Sequence, residues 1–296
     1  MKDEAAAGEG GEAPDWRPPP GSPQERALAQ VAARSRGGAL DRSLRITINF
    51  HPDARHEGRP LLEVLAEDGR LRSQFETRTS NGGLSAHPGG DRWHWESRIF
   101  GGAYDQAEAA DRPKYGALDH RRLAVGGSPR FGSAHFRLRE AVLDRSTFCY
   151  PDSYFEPENF GVAGSMSLIE RALLDDRDAL DDYVEAHVHG PLRLGLDVEA
   201  LVLDPSFRGT ATEDQARRLP LALEWHAGFR LESEACDRLV AYRGEEVAEL
   251  ALRLTGAEPL TPSRMGVERA REIHDPQLLK KVWHGLARFG DLSRGA

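Results

Sequence analysis

Leu44-Arg-Ile-Thr-Ile-Asn-Phe-His51 alternates without a break, with Leu44, Ile46, Ile48 and Phe50 on one face and Arg45, Thr47, Asn49 and His51 on the other. Period two over this length predicts a strand. His51 ends it on the polar face, and Pro52-Asp53 turns the chain. After the polar stretch HPDARHEGR comes PLLEVLAEDG, residues 60–69, where proline suits the first helical turn and glycine the C-cap, so a helix is predicted. LRSQFET, residues 71–77, reads as a second strand. Further strands are predicted at 114–118, 134–139, 146–150, 183–188, 198–203 and 221–225, and helices at 167–174, 244–254 and 276–289. The strands come in groups and do not alternate regularly with helices. That pattern predicts an α+β fold, with a split, mixed or antiparallel β core and flanking helices, over a doubly wound parallel sheet.

Upstream, residues 1–23 are rich in Gly, Pro, Ala and Glu with one aromatic, Trp16, and are predicted to form a disordered N-terminal arm. Residues 24–296 then form a single α+β domain, opening with a helix over 24–36 that stops at Gly37-Gly38. The chain has 296 residues, a net charge of -9, 39% hydrophobic and 29% charged residues, the composition of a soluble globular protein with no membrane span. The acidic balance argues against a phosphate-backbone binder, so nucleic acid is not an expected partner. The basic residues are nearly all arginine, the lysines being Lys2, Lys114, Lys280 and Lys281, which reads as codon bias. Two cysteines, Cys149 and Cys236, support neither a disulfide framework nor a thiolate zinc site. The N-terminus lacks the apolar run of a signal peptide, so a cytoplasmic location is expected.

Three regions could carry chemistry. In Tyr183-Val-Glu-Ala-His-Val-His-Gly190, period two puts Val184, Ala186 and Val188 on one face and Glu185, His187 and His189 on the other. A solvent-facing strand gives the same alternation. The run continues through Gly190-Pro191 into the apolar DVEALVLDP, which is expected to pair with it, and a carboxylate beside imidazoles can serve acid/base or ribose-binding roles. His51 is the second candidate. The third is the stretch from Arg78 to Ala103, where Gly82, Gly83, Gly89, Gly90, Gly101 and Gly102 interleave with Trp93, His94, Trp95 and Phe100, predicting an ordered functional loop. There Ser80, Asn81, Gly82, Gly101 and Gly102 are candidate ligand contacts, because glycines let backbone amides approach closely, and Tyr104 is a candidate stacking ring.

Gly126-Gly-Ser-Pro-Arg130-Phe-Gly132 offers an anion cradle with Arg130 as partner, although a plain turn fits it better. His187 and His189 have H-x-H spacing, but no further ligand pattern accompanies them, so no metal is expected. Cys149 sits in a strand-like run and is expected to be buried and unreactive. No GxGxxG follows a strand, and neither a P-loop nor a serine nucleophile elbow is present.

The segments ITINFHPD, RSQFETRTSNGG, FGGAYD, RPKYGAL, GGSPRFGS, DDYVEAHVHGP and DVEALVLDPSFRGT together resemble a bacterial family described as domain of unknown function 3626, over about residues 44–290. The chain is more distantly similar to ADP-ribosyltransferase-like folds. That resemblance implies a small split β core, a His or Arg closing the first strand, a Tyr or Ser element in the middle and a catalytic Glu on a late strand. His51, Tyr104 and Glu185 follow that order, and the resemblance implies NAD as cosubstrate. A Ser-Thr-Ser element is absent, and Tyr183 stands where a Glu-x-Glu pattern would begin.

The leading expectation is therefore an enzyme whose active site gathers His51, Tyr104 and Glu185, an ADP-ribosyltransferase-like transferase with a small-molecule nucleotide or protein acceptor. One alternative is a hydrolase or phosphoesterase using His187, His189 and Glu185, with or without a metal. The other is a non-enzymatic binding domain whose aromatic loop engages a partner.

Overall fold

The protein is described by a computed structural model covering residues 16–78 and 84–295. Eight strands form one sheet: β1 (Ile46–Phe50), β2 (Lys114–Leu118), β3 (Ala134–Leu138), β4 (Ser146–Tyr150), β5 (Asn159–Val162), β6 (Val184–Val188), β7 (Val198–Leu203) and β8 (Ala222–Trp225). Their spatial order is β8-β7-β3-β1-β2-β6-β4-β5. Every pairing is antiparallel except β7 with β8. The fold is thus α+β with a mixed, mostly antiparallel sheet.

The helices among the described residues are α1 (Pro23–Ala32), α2 (Leu61–Asp68), α3 (Gln74–Thr77), α4 (Asp91–Ile99), α5 (Leu168–Leu174), α6 (Leu194–Asp197), α7 (Ala211–Ala216), α8 (Arg238–Arg243), α9 (Glu245–Thr255), α10 (Pro262–Ala270) and α11 (Pro276–Phe289). Leu62 and Leu65 of α2, Leu168 and Ala172 of α5 and Ala216 of α7 share one core with Phe136, Phe148, Val184 and Val188 of the sheet. On the opposite face, Ala27 and Val31 of α1 and Trp95 and Ile99 of α4 pack with Cys149 and Phe160. The helices α8 to α11 bury Leu239, Leu250, Met265, Val282 and Trp283 in a third cluster with Val125 and Leu180. No helix among the described residues is long and apolar enough to cross a membrane.

Several sequence expectations change. Leu71–Thr77 is not a strand: Ser73 caps α3 in a reciprocal capping box, its Oγ accepting from the Glu76 amide at 3.1 Å while Glu76 Oε2 accepts from the Ser73 amide at 2.8 Å. The supposed loop of residues 78–103 contains α4, because its glycines flank the helix and do not interrupt it. Gly90 is the N-cap, and Gly101 and Gly102 follow the C-terminus at φ 60° and 75°, where only glycine turns the chain cheaply. The strand β6 pairs with β2 and β4 and not with β7, which lies between β3 and β8. Trp16, assigned to the arm, packs on the domain: Gly190 leaves room for its ring, and the Arg145 guanidinium lies 5.3 Å from that ring's centroid. Residues 1–15 lie outside the described residues.

The feature that shapes the site is a fork. The strands β1 and β2 pair only at Ile46↔Leu118 and Thr47↔Ala117. Beyond that point β1 stays with β3 as far as Phe50↔Ala134, and β2 stays with β6 as far as Lys114↔Val188. Gly116 closes the apex, since a Cβ there would lie 2.6 Å from the Thr47 carbonyl oxygen.

At the open end of the fork, Gly132 backs onto β1. A Cβ on Gly132 would lie 2.0 Å from the Phe50 carbonyl carbon, so the strand end that carries His51 must move to admit it. Gly132→Ala is expected to lower stability by about 1–3 kcal/mol, the scale of overpacking. Urea unfolding measures it, and a midpoint equal to wild type would refute the close approach.

Candidate active site

A cavity of about 620 Å³ occupies the fork, lined by Ile48 to His51 of the β1 side and by Lys114, Tyr115 and Gly116 of the β2 side. Leu61, Val64 and Leu65 of α2 give it an apolar wall, and Arg92, Ser153 and Glu185 a polar one. The structure therefore brings His51 and Glu185 into one cavity from strands that are far apart in sequence.

Glu185 is only 6% exposed. The Ser153 amide and hydroxyl donate to its Oε2 at 3.2 and 2.9 Å, and His187 Nε2 lies 3.0 Å from its Oε1. The Arg92 Nη1 is 3.8 Å from Oε1 and also donates to Ser153 Oγ at 2.8 Å. Burial pushes the carboxyl upward, but the His187 hydrogen bond and the Arg92 charge outweigh it, so Glu185 is held below the usual carboxylate range and is ionised. The alternative of a solvent-facing strand does not hold. Both faces of β6 are covered, and His187 and His189 are fully buried.

His51 is half-buried at the cavity wall, with its ring edge against Trp283 at 4.9 Å between centroids. Burial, and then Arg269 and His284, hold its pKa well below the ordinary value, so the imidazole is neutral. A neutral imidazole offers a ligand one donor and one acceptor.

The remaining sequence candidates scatter. Tyr104 does not line the cavity: it is fully buried, its hydroxyl is 2.7 Å from His189 Nδ1, and its ring stacks on that imidazole at 5.9 Å. Gly101 abuts the Gln30 side chain and Gly102 faces the Asp105 carboxylate, so both serve the turn after α4. Ser80, Asn81 and Gly82 lie outside the described residues. Arg130 lines the cavity and is ion-paired with Asp181, while the Trp283 indole N–H donates to its carbonyl at 3.0 Å.

Residues without sequence assignments complete the wall. The Tyr115 ring lies beneath the Arg92 guanidinium at 4.1 Å, and its hydroxyl donates to Glu96 at 2.8 Å. Glu96 is itself paired with Arg112 at 2.6 Å, although burial pushes its carboxyl up to about 7. The alternation of Tyr115 and Ala117 in KYGAL was a usable signal for the face of β2. Arg92 and Ser153 gave none, because their place depends on α4 and on the turn after β4.

Cys149, Glu185 and His187 offer donor atoms within 4.8 Å of one another. They suit a hydrogen-bonded cluster better than a dication. Glu185 and His187 already have partners, burial pushes the Cys149 thiol well above its ordinary range, and the Arg92 cation faces the same carboxylate.

Because His51 is held neutral, NMR of its ring should show no protonation between about pH 8 and 5.5, the window in which an ordinary imidazole titrates. A titration midpoint inside that window would contradict the assigned environment.

A model of a family described as protein of unknown function (DUF3626) matches residues 45–179 and 165–289, spans that contain every residue lining the cavity. No curated protein matches the chain. Over most of its length, fork and cavity included, the chain belongs to the DUF3626 family.

Proposed function

We propose that this chain is an enzyme, an ADP-ribosyltransferase-like transferase acting in the cytoplasm, with NAD as cosubstrate and a small-molecule nucleotide or a protein as acceptor. The observation that carries the reading is the meeting of His51 and Glu185 in one cavity at the fork of the sheet. The cavity's volume falls in the range of small-molecule sites, about 300–1,000 Å³. Its lining holds the cations Arg55, Arg72, Arg92, Lys114, Arg130 and Lys280 against the carboxylates Asp68, Asp152, Asp181 and Glu185, a balance that favours an anionic ligand such as a diphosphate.

NAD supplies an ADP-ribosyl group joined to nicotinamide through a glycosidic bond. Glu185, ionised and acceptor-only, holds ribose hydroxyls and stabilises positive charge that grows at the sugar. His51, neutral, bonds the ribose. The aromatic role given to Tyr104 on sequence order passes to Tyr115, which lines the cavity.

Glu185→Gln keeps the shape and removes the charge. NAD binding, followed by calorimetry, should largely survive, while nicotinamide release falls by about a hundredfold or more, as when a principal electrostatic stabiliser is lost. Wild-type protein that neither binds nor consumes NAD would sink the proposal, and equal turnover by the variant would remove Glu185 from it. Stoichiometric metal in the purified protein would favour the hydrolase reading.

A further inference from the structure

Behind Glu185, on the side away from the cavity, four close contacts run in series along one face of the sheet. Glu185 Oε1 is 3.0 Å from His187 Nε2, and His187 Nδ1 is 3.0 Å from Thr147 Oγ1. The same Oγ1 is 3.1 Å from His189 Nε2, and His189 Nδ1 is 2.7 Å from the Tyr104 hydroxyl. All five residues are buried. Trp95, Phe100 and Tyr115 surround the imidazoles, with ring centroids 5.2 to 6.4 Å away.

We propose that Tyr104, His189, Thr147 and His187 form one directional hydrogen-bond chain that fixes the tautomer of both histidines and holds the Glu185 carboxylate in its cavity-facing position. The direction follows from the acceptor at its head. An ionised carboxylate cannot donate, so His187 carries its proton on Nε2 and leaves Nδ1 as an acceptor. Thr147 has one proton and gives it to that Nδ1. Its oxygen then accepts from His189 Nε2–H, which leaves His189 Nδ1 to accept from the Tyr104 hydroxyl. Every proton has one acceptor, and neither ring is charged. Burial, together with the Arg145 and Lys114 cations, holds His189 neutral, in agreement with this count. The reverse direction requires either a protonated Glu185 or a doubly protonated, cationic His187, and in both cases it leaves the Tyr104 proton without an acceptor among the described residues.

The chain orients and does not conduct. Moving every proton one step toward Glu185 would leave a tyrosinate at Tyr104, where burial pushes the phenol well above its ordinary range. Tyr104 is therefore a positioning residue, and the sequence signal that singled it out belongs to the carboxylate's support and not to ligand contact. The link to catalysis rests on the reading of Glu185 as the working carboxylate, whereas the proton arrangement stands without it.

The test uses the full chain and needs no ligand. Nitrogen-15 NMR of the histidine rings at pH 7 should show His187 and His189 both neutral and both protonated at Nε2. A charged ring, or an Nδ1–H tautomer at either position, overturns the chain in the wild-type protein alone. Each donated hydrogen bond polarises the next, so Thr147→Val should weaken the His187 donor and move the Glu185 titration, followed by carbon-13 NMR, upward by about half a pH unit or more. Thr147→Ser should restore it, and Tyr104→Phe should give a smaller shift in the same direction. The other titratable groups facing Glu185 are Arg92 from α4, Tyr115 from β2, Cys149 from β4, Asp152 before Ser153, and Tyr183. They are unchanged in all three variants. A Glu185 titration unmoved by Thr147→Val refutes the coupling. Loss of nicotinamide release in Glu185→Gln bears only on the proposed function, so the two ideas fail separately.

Discussion

An ionised carboxylate on a buried central strand sets conditions that its surroundings must meet. Removing such a group from water costs several kcal/mol even after a protein relaxes around it, so Glu185 needs donors on both oxygens. It has them in the Ser153 amide and hydroxyl, His187 and the Arg92 charge. Each donor in turn needs its own support. Asp152 caps the short turn that carries Ser153, accepting from the Tyr154 amide at 3.0 Å and from the Tyr183 hydroxyl. Arg92 is delivered by α4, whose Trp95 and Ile99 fix the helix to the sheet. Much of the packing on that side of the sheet can be traced back to one charge.

The fork provides the opening that gives this charge a use. A sheet can separate two neighbouring strands cheaply only if each keeps its other partner, because unpaired buried backbone groups are costly. Here β1 retains β3 and β2 retains β6, so one edge of each strand opens into the cavity and the ladders on either side remain intact. Gly116 permits close contact at the apex, and Gly132 permits it at the far end of β1. The two glycines thus set where the strands meet and where His51 stands.

Elements whose pattern was local could be read from the sequence. The strands β1, β2, β3, β4, β6, β7 and β8, and the helices α5, α9 and α11, lie close to where periodicity put them. Leu71–Thr77 misled because Leu71, Ser73 and Phe75 mimic period two, while the Ser73 and Glu76 spacing of a capping box was the stronger signal. The glycines around α4 looked like a continuous loop because their count was read without their positions. For the site, chain order grouped His51 with Glu185, and both line the cavity, but it carried no distance. Strand pairing is non-local, and it put β6 beside β2 and β4, which set Tyr104 against His189 farther along the same face, away from the cavity, and brought Tyr115 to the cavity. Arg92 was illegible for the same reason: an arginine on a polar-looking helix becomes a site residue only once the helix is docked.

Stability alone is a poor reason for this arrangement. A buried ion pair can often be replaced by apolar residues of similar volume with no loss, and at times with a gain. The positions around this hydrogen-bond chain are already set among apolar side chains, with Cys149 beside Glu185 and Trp95 and Phe100 against His187. Filling the space with leucine and phenylalanine would have been the simpler solution for folding. The sequence instead carries a carboxylate, two imidazoles, a threonine and a buried guanidinium, each held by a partner, and exposes one end of the set to a cavity. In a dry, ring-lined environment such hydrogen bonds are stronger and less mobile than in water. A carboxylate held that way needs no reorganisation when charge develops beside it, and in the proposed reading that property serves a reacting ligand, whereas it contributes nothing to the folding of the sheet.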